Sequence, residues 1–215
     1  AGGVEAGAIH AEDLALNAGG STFRVRGVAF KLPVPGRHNA ENAMAAIASC
    51  LNEGVSLSDC SRALASFQGV ARRFQSLGSA REVEVVDDFA HNPAKIAATL
   101  TAAHLRARRI LAVYQPHGFA PTRHLKNELI AVFAEKLRAE DRLWLPDIYY
   151  VGGTASKDIS SLDVVEPLRA KGLNAFHIPD RAAIVALIAA QAREGDLVLI
   201  MGARDPSLSD FALAV

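Results

Sequence analysis

The sequence predicts an α/β fold with a mostly parallel sheet, preceded by a smaller α+β unit. The first observation is that short apolar runs alternate regularly with helical patterns from residue 83 onward, which is typical of a parallel sheet covered on both faces. The second is that the pattern before residue 70 differs, because loosely alternating runs are followed by two amphipathic helices. We therefore predict two domains, 1–70 and 71–215.

In the first domain, the predicted strands form a small antiparallel piece. They cover 8–16, 22–26 and 28–34. A turn at 35–39 leads into a helix whose apolar residues, from Met44 to Leu51, recur at helical spacing. Ser56 is a typical N-cap for a second helix over 57–67. The sequence starts without a recognisable beginning for this unit, so we expect the chain to be a piece of a longer protein.

In the second domain, predicted strands and helices alternate. The strands are placed at 83–86, 109–114, 142–145, 175–178 and 197–201. The helices are placed at 94–106, 124–138, 162–171, 181–192 and 207–214. Polar residues collect directly after the strands, and the carboxyl ends of parallel strands form the edge at which α/β sheets bind ligands. We therefore expect the functional residues of this domain at that edge.

The composition excludes several classes of protein. Half of the 215 residues are hydrophobic (50%) and the net charge is zero, so nucleic-acid binding has no electrostatic support. No apolar run is long enough for a membrane helix, and the start has no signal-peptide layout, so we predict a cytoplasmic protein without a membrane partner. Cys50 and Cys60 form no CxxC motif, which favours buried thiols over a zinc site or a disulfide.

The segment Val83–Pro93 contains the densest group of polar side chains. A β-branched run ends in Asp87 and Asp88, and His91 and Asn92 come directly before a predicted helix. Free N–H groups at a helix start and a strand end beside it are favourable for binding a ligand. The same residues are equally typical of an ordinary turn between a strand and a helix.

Three further sets of polar residues each have a functional and a structural interpretation. Asn39 and Asn42 share a helix face and match the donor and acceptor pattern of an adenine edge, or they cap the helix. Arg73, beside Arg72 at the domain boundary, is suited to phosphate binding, or forms part of a solvated charge pair. His117 lies among small neighbours that leave room for a ligand, or is structural.

Four segments, taken in order, resemble the Mur ligase superfamily, and within it the muramate–alanine and murein peptide ligase branch. They are 36–49, 64–74, 87–93 and 114–123. The resemblance implies a Rossmann-like C-terminal domain at 71–215 and the α+β end of the central ATP-binding domain at 1–70. The sequence has no G-x-x-x-x-G-K-[ST] phosphate loop. We therefore expect the 215-residue chain to be inactive by itself.

The resemblance also implies a reaction and its participants. ATP and Mg²⁺ activate a carboxylate as an acyl phosphate, and an amino acid or peptide is joined to a UDP-N-acetylmuramate-type substrate; the magnesium ligands are expected mostly outside this chain. The matching motifs assign ATP binding to Asn39, Asn42, Arg73 and Asp88, and substrate binding to His91, Asn92, His117 and Arg123. Arg73 and His91 are the implied catalytic residues, and no metal ligand is assigned.

Two departures from the family pattern keep other interpretations open. Asn92 stands where the muramate–alanine ligases usually have His, which is more like the folylpolyglutamate synthetases of the same superfamily. Gly118 stands where Arg usually follows the QPH sequence, and Arg123 is a candidate replacement. A folate-type glutamate ligase and a non-catalytic nucleotide- or peptide-binding module are therefore the alternatives. The added amine, and biosynthesis versus recycling, stay open.

Overall fold

A computed structural model describes residues 4–6 and 9–215. The chain divides into two compact units, Ala1–Val70 and Ala71–Val215. Among the described residues, no helix is both long and apolar enough to cross a membrane.

The first unit is an antiparallel meander followed by two helices. Its strands, in sheet order, are β1 (Val4–Ala6), β2 (Ile9–Asn17), β3 (Gly20–Val25) and β4 (Val28–Leu32), and its helices are α1 (Arg37–Asn52) and α2 (Leu57–Ala65). Phe23 and Phe30 stack with their ring centroids 5.3 Å apart, and Met44 of α1 is fully buried in the same core. The predicted strand at 8–16 begins at residue 8, which lies outside the described residues.

The two cysteines lie in neighbouring helices of this unit, but their environments differ. Cys60 of α2 is buried in the core, whereas Cys50 of α1 is exposed. The prediction of a buried thiol is therefore wrong for Cys50. Met44 and Ile47 of α1 are buried in the core, whereas Cys50 lies in the last turn of this helix and is exposed.

The second unit contains a six-stranded sheet in the order β5-β6-β10-β7-β8-β9. The strands are β5 (Gln75–Ala80), β6 (Val83–Asp88), β7 (Arg109–Gln115), β8 (Arg142–Leu145), β9 (Ala175–His177) and β10 (Asp196–Gly202). The helices are α3 (Pro93–Ala103), α4 (Phe119–Lys136), α5 (Leu162–Ala170), α6 (Arg181–Gln191) and α7 (Leu208–Ala214). All neighbouring strands are parallel except β5 and β6. The predicted α/β class with a mostly parallel sheet is confirmed.

Helices cover both faces of this sheet, as the alternation along β7 shows. Ile110, Ala112 and Tyr114 pack in the core with residues of α3, α4 and α5. Leu111 and Val113 pack in the opposite core with residues of α6 and α7. A strand buried on both faces has a continuous apolar sequence, and the run from Ile110 to Tyr114 has this property.

The edge strand β5 was not predicted, for two physical reasons. Its sequence is polar and mostly exposed, so it lacks the apolar alternation that indicates a strand. The turn to β6 places Arg81 and Glu82 at φ angles of 49° and 59°, a conformation for which Asn-Gly is the usual sequence. Neither the strand nor its turn therefore carries the expected residue types.

Candidate functional site

The loops after three adjacent strands converge at the carboxyl edge of the sheet. β10 lies between β6 and β7, and Met201 is paired with Asp88 on one side and with Tyr114 on the other. Three positions beyond these paired residues are Arg204, His91 and His117. The sheet register therefore brings three basic side chains, distant in sequence, to one level of this edge.

Asp88 fixes the shape of the loop after β6. Its carboxylate accepts hydrogen bonds from the backbone N–H groups of Phe74 (2.6 Å) and Ala90 (2.7 Å) and from the Thr99 hydroxyl (3.1 Å). The residue is buried, with 5% of its surface exposed. The carboxylate thus joins the segment after the domain boundary to β6 and α3, and the ATP-binding role of Asp88 stays a prediction.

Asp87 anchors Arg72 in the same way. The Arg72 side chain donates through Nε to the Asp87 carboxylate at 3.1 Å and through Nη2 to the backbone oxygen of Gly202 at 2.9 Å. The Ser209 hydroxyl donates to the same carboxylate oxygen, Oδ2 of Asp87, at 2.9 Å. The first arginine of the pair is therefore structural, whereas Arg73 is not held in this way.

The exposed side chain of Arg73 lies over the aromatic ring of Phe89. Its guanidinium carbon is 5.6 Å from the centroid of Phe89, and that of Arg72 is 5.1 Å from the same ring. Within the part of the chain that the structure describes, no carboxylate pairs with Arg73. A cation oriented by an aromatic ring and without an acidic partner is available to bind an anion.

His91 and His117 are brought together by the fold. Their rings are in an edge arrangement with centroids 5.6 Å apart, and Phe89 packs against His91 at 5.5 Å. The Nδ1 atom of His91 lies 2.9 Å from the backbone oxygen of Phe89. Because a carbonyl only accepts, Nδ1 carries the proton, and Nε2 has the lone pair in the neutral ring.

His117 lies in surroundings that disfavour its charged form. Burial, the neighbouring His91 and the positive charge of Arg204 all lower its pKa. Its Nδ1 atom is buried and has no hydrogen-bond partner among the described residues. Buried polar atoms of this kind are rare in folded proteins, so Nδ1 of His117 is a candidate contact for a ligand.

Asn92 is the N-cap of α3. Its Oδ1 atom accepts a hydrogen bond from the backbone N–H of Lys95 at 3.0 Å, and Pro93 occupies the first turn. This is the arrangement that Asn-Pro favours at a helix start. The side-chain oxygen is thus used by the helix, and the substrate-binding role of Asn92 stays a prediction.

A hydrogen-bond network holds the loop that carries His117. Nε2 of Gln115 donates to the backbone oxygen of Asp147 at 2.7 Å, while Oε1 of Gln115 accepts from Arg181 at 3.1 Å. Arg181 also pairs with the buried carboxylate of Asp205. No local sequence pattern indicates Arg181, because its partners come from other strand ends. It is therefore a site-supporting residue that the sequence does not reveal.

Arg123 forms an ion pair on the surface of the second unit. It lies in the first half of α4, and its guanidinium pairs with Asp158 and donates to the backbone oxygen of Ser156 at 3.1 Å. The hydrogen bond from Arg123 lowers the pKa of Asp158. The structure thus directs this arginine to the loop after β8, and its substrate-binding role stays a prediction.

Asn39 and Asn42 belong to the first unit. Asn39 donates to the backbone oxygen of Pro35 at 2.7 Å and is half-buried, and Asn42 is exposed. The N-cap of α1 is Gly36, and no side chain caps this helix. The capping interpretation of the two asparagines is therefore wrong, and their adenine-binding role stays a prediction.

The described residues contain no group of three or more His, Cys, Asp or Glu side chains that could hold a metal ion. The basic edge of the sheet is better suited to anions. Its residues are Arg73, His91, His117 and Arg204 of the second unit.

The sequence was compared with known proteins. The family model described as Mur ligase, glutamate ligase domain, matches residues 72–204. The UDP-N-acetylmuramate–L-alanine ligase of Acetivibrio thermocellus is 37% identical over 202 residues, covering 91% of this chain and 42% of that protein. The enzyme of the same name from Rhodopseudomonas palustris (strain CGA009) is 37% identical over 214 residues, covering 94% of this chain and 45% of that protein. The chain thus spans less than half the length of these relatives.

The fold was also compared with solved structures. The UDP-N-acetylmuramate-alanine ligase of Thermotoga maritima superposes with a TM-score of 0.74 at 24% identity, covering 94% of this chain and 44% of that one. The MurF ligase of the same organism, solved in complex with ADP, gives a TM-score of 0.70 at 18% identity over 97% of this chain and 46% of that one. These two structures support the fold. Because the family model also matches more than half of the sequence, the chain belongs to the Mur ligase family.

Proposed function

We propose that this chain is the C-terminal part of an ATP-dependent amide ligase that joins an amino acid or peptide to a UDP-N-acetylmuramate-type substrate. Residues 1–70 would be the end of the central ATP-binding domain, and 71–215 the domain that receives the incoming amine. The proposal is supported by the names of the relatives at 37% identity and by the chemistry of the sheet edge. Such an enzyme would act in the cytoplasm in peptidoglycan precursor synthesis or recycling.

The observation that carries the proposal is the position of Arg73. Its exposed guanidinium lies on Phe89, and Phe89 packs against His91, which packs against His117. A cation suited to phosphate is thus connected through adjoining rings to two imidazoles suited to handling an amine. Amide formation driven by ATP needs these two chemistries close together.

Each predicted site residue has a proposed contact with ATP or with the incoming amine. Asn39 and Asn42 would contact the adenine, Asp88 the ribose and Arg73 the phosphates. ATP with Mg²⁺, when bound, supplies the phosphoryl group that activates the carboxylate. The Nε2 lone pair of His91 would accept a hydrogen bond or a proton from the attacking amine, because Nδ1 donates to the backbone oxygen of Phe89.

The direct test is an assay of the complete gene product that contains this chain. Phosphate release from ATP is measured with UDP-N-acetylmuramate and a panel of L-alanine, glycine, L-serine and a short peptide. A parallel reaction contains a pteroate and glutamate. Turnover with a muramate and an amine supports the proposal, turnover with the pteroate alone supports a folate-type ligase, and no turnover supports a binding module.

Changing Arg73→Ala in the complete protein should lower kcat at least about tenfold, because removing one oriented donor to a charged transition state typically costs that much or more. The melting temperature should stay within about 2 °C, since the side chain is exposed and only covers a ring. Arg81→Ala, an exposed arginine in the β5–β6 turn, is the matched control for lost charge. A lower melting temperature with an unchanged kcat would contradict a catalytic role for Arg73.

A further inference from the structure

Arg204 has an unusual backbone conformation for its residue type. It has a φ angle of 63° in the loop after β10. This left-handed region is sterically favourable only for glycine and is costly for a side chain as large as arginine. Strain of this kind tends to persist where a side chain serves a function.

The Arg204 guanidinium has no ion pair or hydrogen bond with any residue that the structure describes, and the residue is exposed. The acidic group next to it in sequence is not available as a partner. Asp205 is buried and accepts hydrogen bonds from Arg181 and from Ser207 at 2.7 Å. Arg204 therefore presents an uncompensated positive charge.

The sheet register brings Arg204 and His117 to the same level of two adjacent strand ends. Gly202 is paired with Gln115, so Arg204 and His117 are each two residues past a paired position in adjacent parallel strands. The positive charge of Arg204 also contributes to the lowered pKa of His117. Nδ1 of His117 is buried without a partner among the described residues, and the ring of His91 closes one side at 5.6 Å.

A guanidinium and an adjacent imidazole nitrogen form a known kind of receptor for an oxyanion. The guanidinium fork matches the two oxygens of a carboxylate or phosphate, and an imidazole N–H adds a third hydrogen bond. Ligation substrates carry such groups, since an incoming amino acid has a carboxylate and a nucleotide sugar has a diphosphate.

We propose that Arg204 and His117 form an oxyanion-binding subsite that sets which substrate the ligase accepts. The identity of the substrate rests on the proposed function, whereas the binding of an oxyanion does not. Arg204 is thus a specificity-determining residue.

The binding test uses the 215-residue chain and needs no ATP. Inorganic phosphate, acetate and L-alanine are titrated separately while the ring resonances of His117 are followed by NMR. The resonances should shift with saturation in the wild type. Arg204→Gly should weaken the affinity for at least one of these probes at least about tenfold, which corresponds to about 1.4 kcal/mol, and Arg204→Lys should retain part of it.

Arg81→Gly is the matched control, because Arg81 is also an exposed arginine in the left-handed region, with a φ angle of 49°. Both substitutions remove one charge and the same backbone strain, so both variants should keep or raise the melting temperature. Only Arg204→Gly should bind the probe more weakly than the wild type does. Equal affinity in wild type, Arg204→Gly and Arg81→Gly, or no saturable binding in any of them, would overturn the proposal.

Steady-state kinetics of the complete protein identify the substrate that carries the oxyanion. A rise in KM for the amine in Arg204→Gly identifies the carboxylate of the amino acid or peptide, and a rise in KM for the sugar nucleotide identifies the diphosphate. Unchanged KM values for both would overturn the specificity role. If the complete protein has no ligase activity but binding of the probe still requires Arg204, the oxyanion subsite is supported and the proposed function is wrong.

Discussion

His117 illustrates how a single side chain is set by its surroundings. Burial and two neighbouring basic groups disfavour its charged form, so the ring is neutral near pH 7. A neutral imidazole can both donate and accept hydrogen bonds, as contact with an amine or an oxyanion requires. The same surroundings make the stability of the second unit depend on pH.

We expect the free energy of unfolding of the chain to fall as the pH drops below about 6.5, the ordinary pKa of an exposed imidazole. In the folded chain the pKa of His117 is lowered, so the unfolded chain binds more protons between the two pKa values, and acid favours unfolding there. Chemical denaturation between pH 8 and pH 5 measures this effect. His117→Asn should flatten the slope, and His124→Asn, at an exposed position of α4, should leave it unchanged.

At the scale of one element, α3 depends on Asn92 for its start. Asn92→Ala should lower the free energy of unfolding by about 1 kcal/mol, because the backbone N–H of Lys95 loses its acceptor. Asn92→Asp keeps an acceptor oxygen and should retain most of the stability. Ser56→Ala is the matched control, because it removes the N-cap hydrogen bond that the Ser56 hydroxyl accepts from the backbone N–H of Asp59 in α2. An undiminished stability in Asn92→Ala would contradict the cap.

Arg181 connects the start of α6 to the ends of β7 and β10. Burial alone would raise the pKa of Asp205, but hydrogen bonds from Arg181 and Ser207 outweigh it and hold the pKa below its usual range. Asp205 therefore contributes stability above its unfolded pKa, and this stability is lost as the pH falls through the folded value. Removing Arg181 would leave a buried carboxylate without its cation.

We expect Arg181→Met to lower the free energy of unfolding at pH 7 by about 3 kcal/mol, the scale for breaking a buried pair. The double variant Arg181→Met with Asp205→Asn should recover part of this loss, because the uncompensated charge is gone. Urea denaturation of both proteins measures the difference. If the double variant is less stable than Arg181→Met, the ion pair is not the cause.

Most elements of the second unit follow from local sequence, because a parallel strand buried on both faces is a continuous apolar run. The strands β7 and β8, predicted at 109–114 and 142–145, are examples. The helix α4 begins at Phe119 rather than at the predicted residue 124. Gly118 at a φ angle of 70° makes the turn, and Pro121 is tolerated within the first turn. Such starts depend on backbone geometry that residue periodicity does not encode.

At the scale of the whole molecule, the proposed division of the enzyme makes a simple prediction. The 215-residue chain should release no phosphate from ATP in the presence of UDP-N-acetylmuramate and L-alanine, because its sequence contains no phosphate loop. The malachite green assay measures this, with the complete gene product as the positive control. Turnover by the chain alone would show that the phosphate is held by other residues.

The sheet order explains why the basic edge could be predicted only in part. His91 and His117 are recognisable because each belongs to a short motif. Arg204 joins them only because β10 is inserted between β6 and β7. Strand order is a long-range property that spacing within the sequence does not determine. The partners of Arg181 are hidden for the same reason, whereas those of Asn92 are local.

The single tryptophan gives this protein an optical property. Trp144 lies in β8, is buried with 1% of its surface exposed, and stacks on Phe176 at 6.2 Å. All three tyrosines also lie beyond residue 70. Tryptophan and tyrosine emission therefore comes entirely from the second unit, while circular dichroism records both. Following the two signals in one denaturation experiment distinguishes a chain that melts as a single cooperative body from one whose halves melt separately.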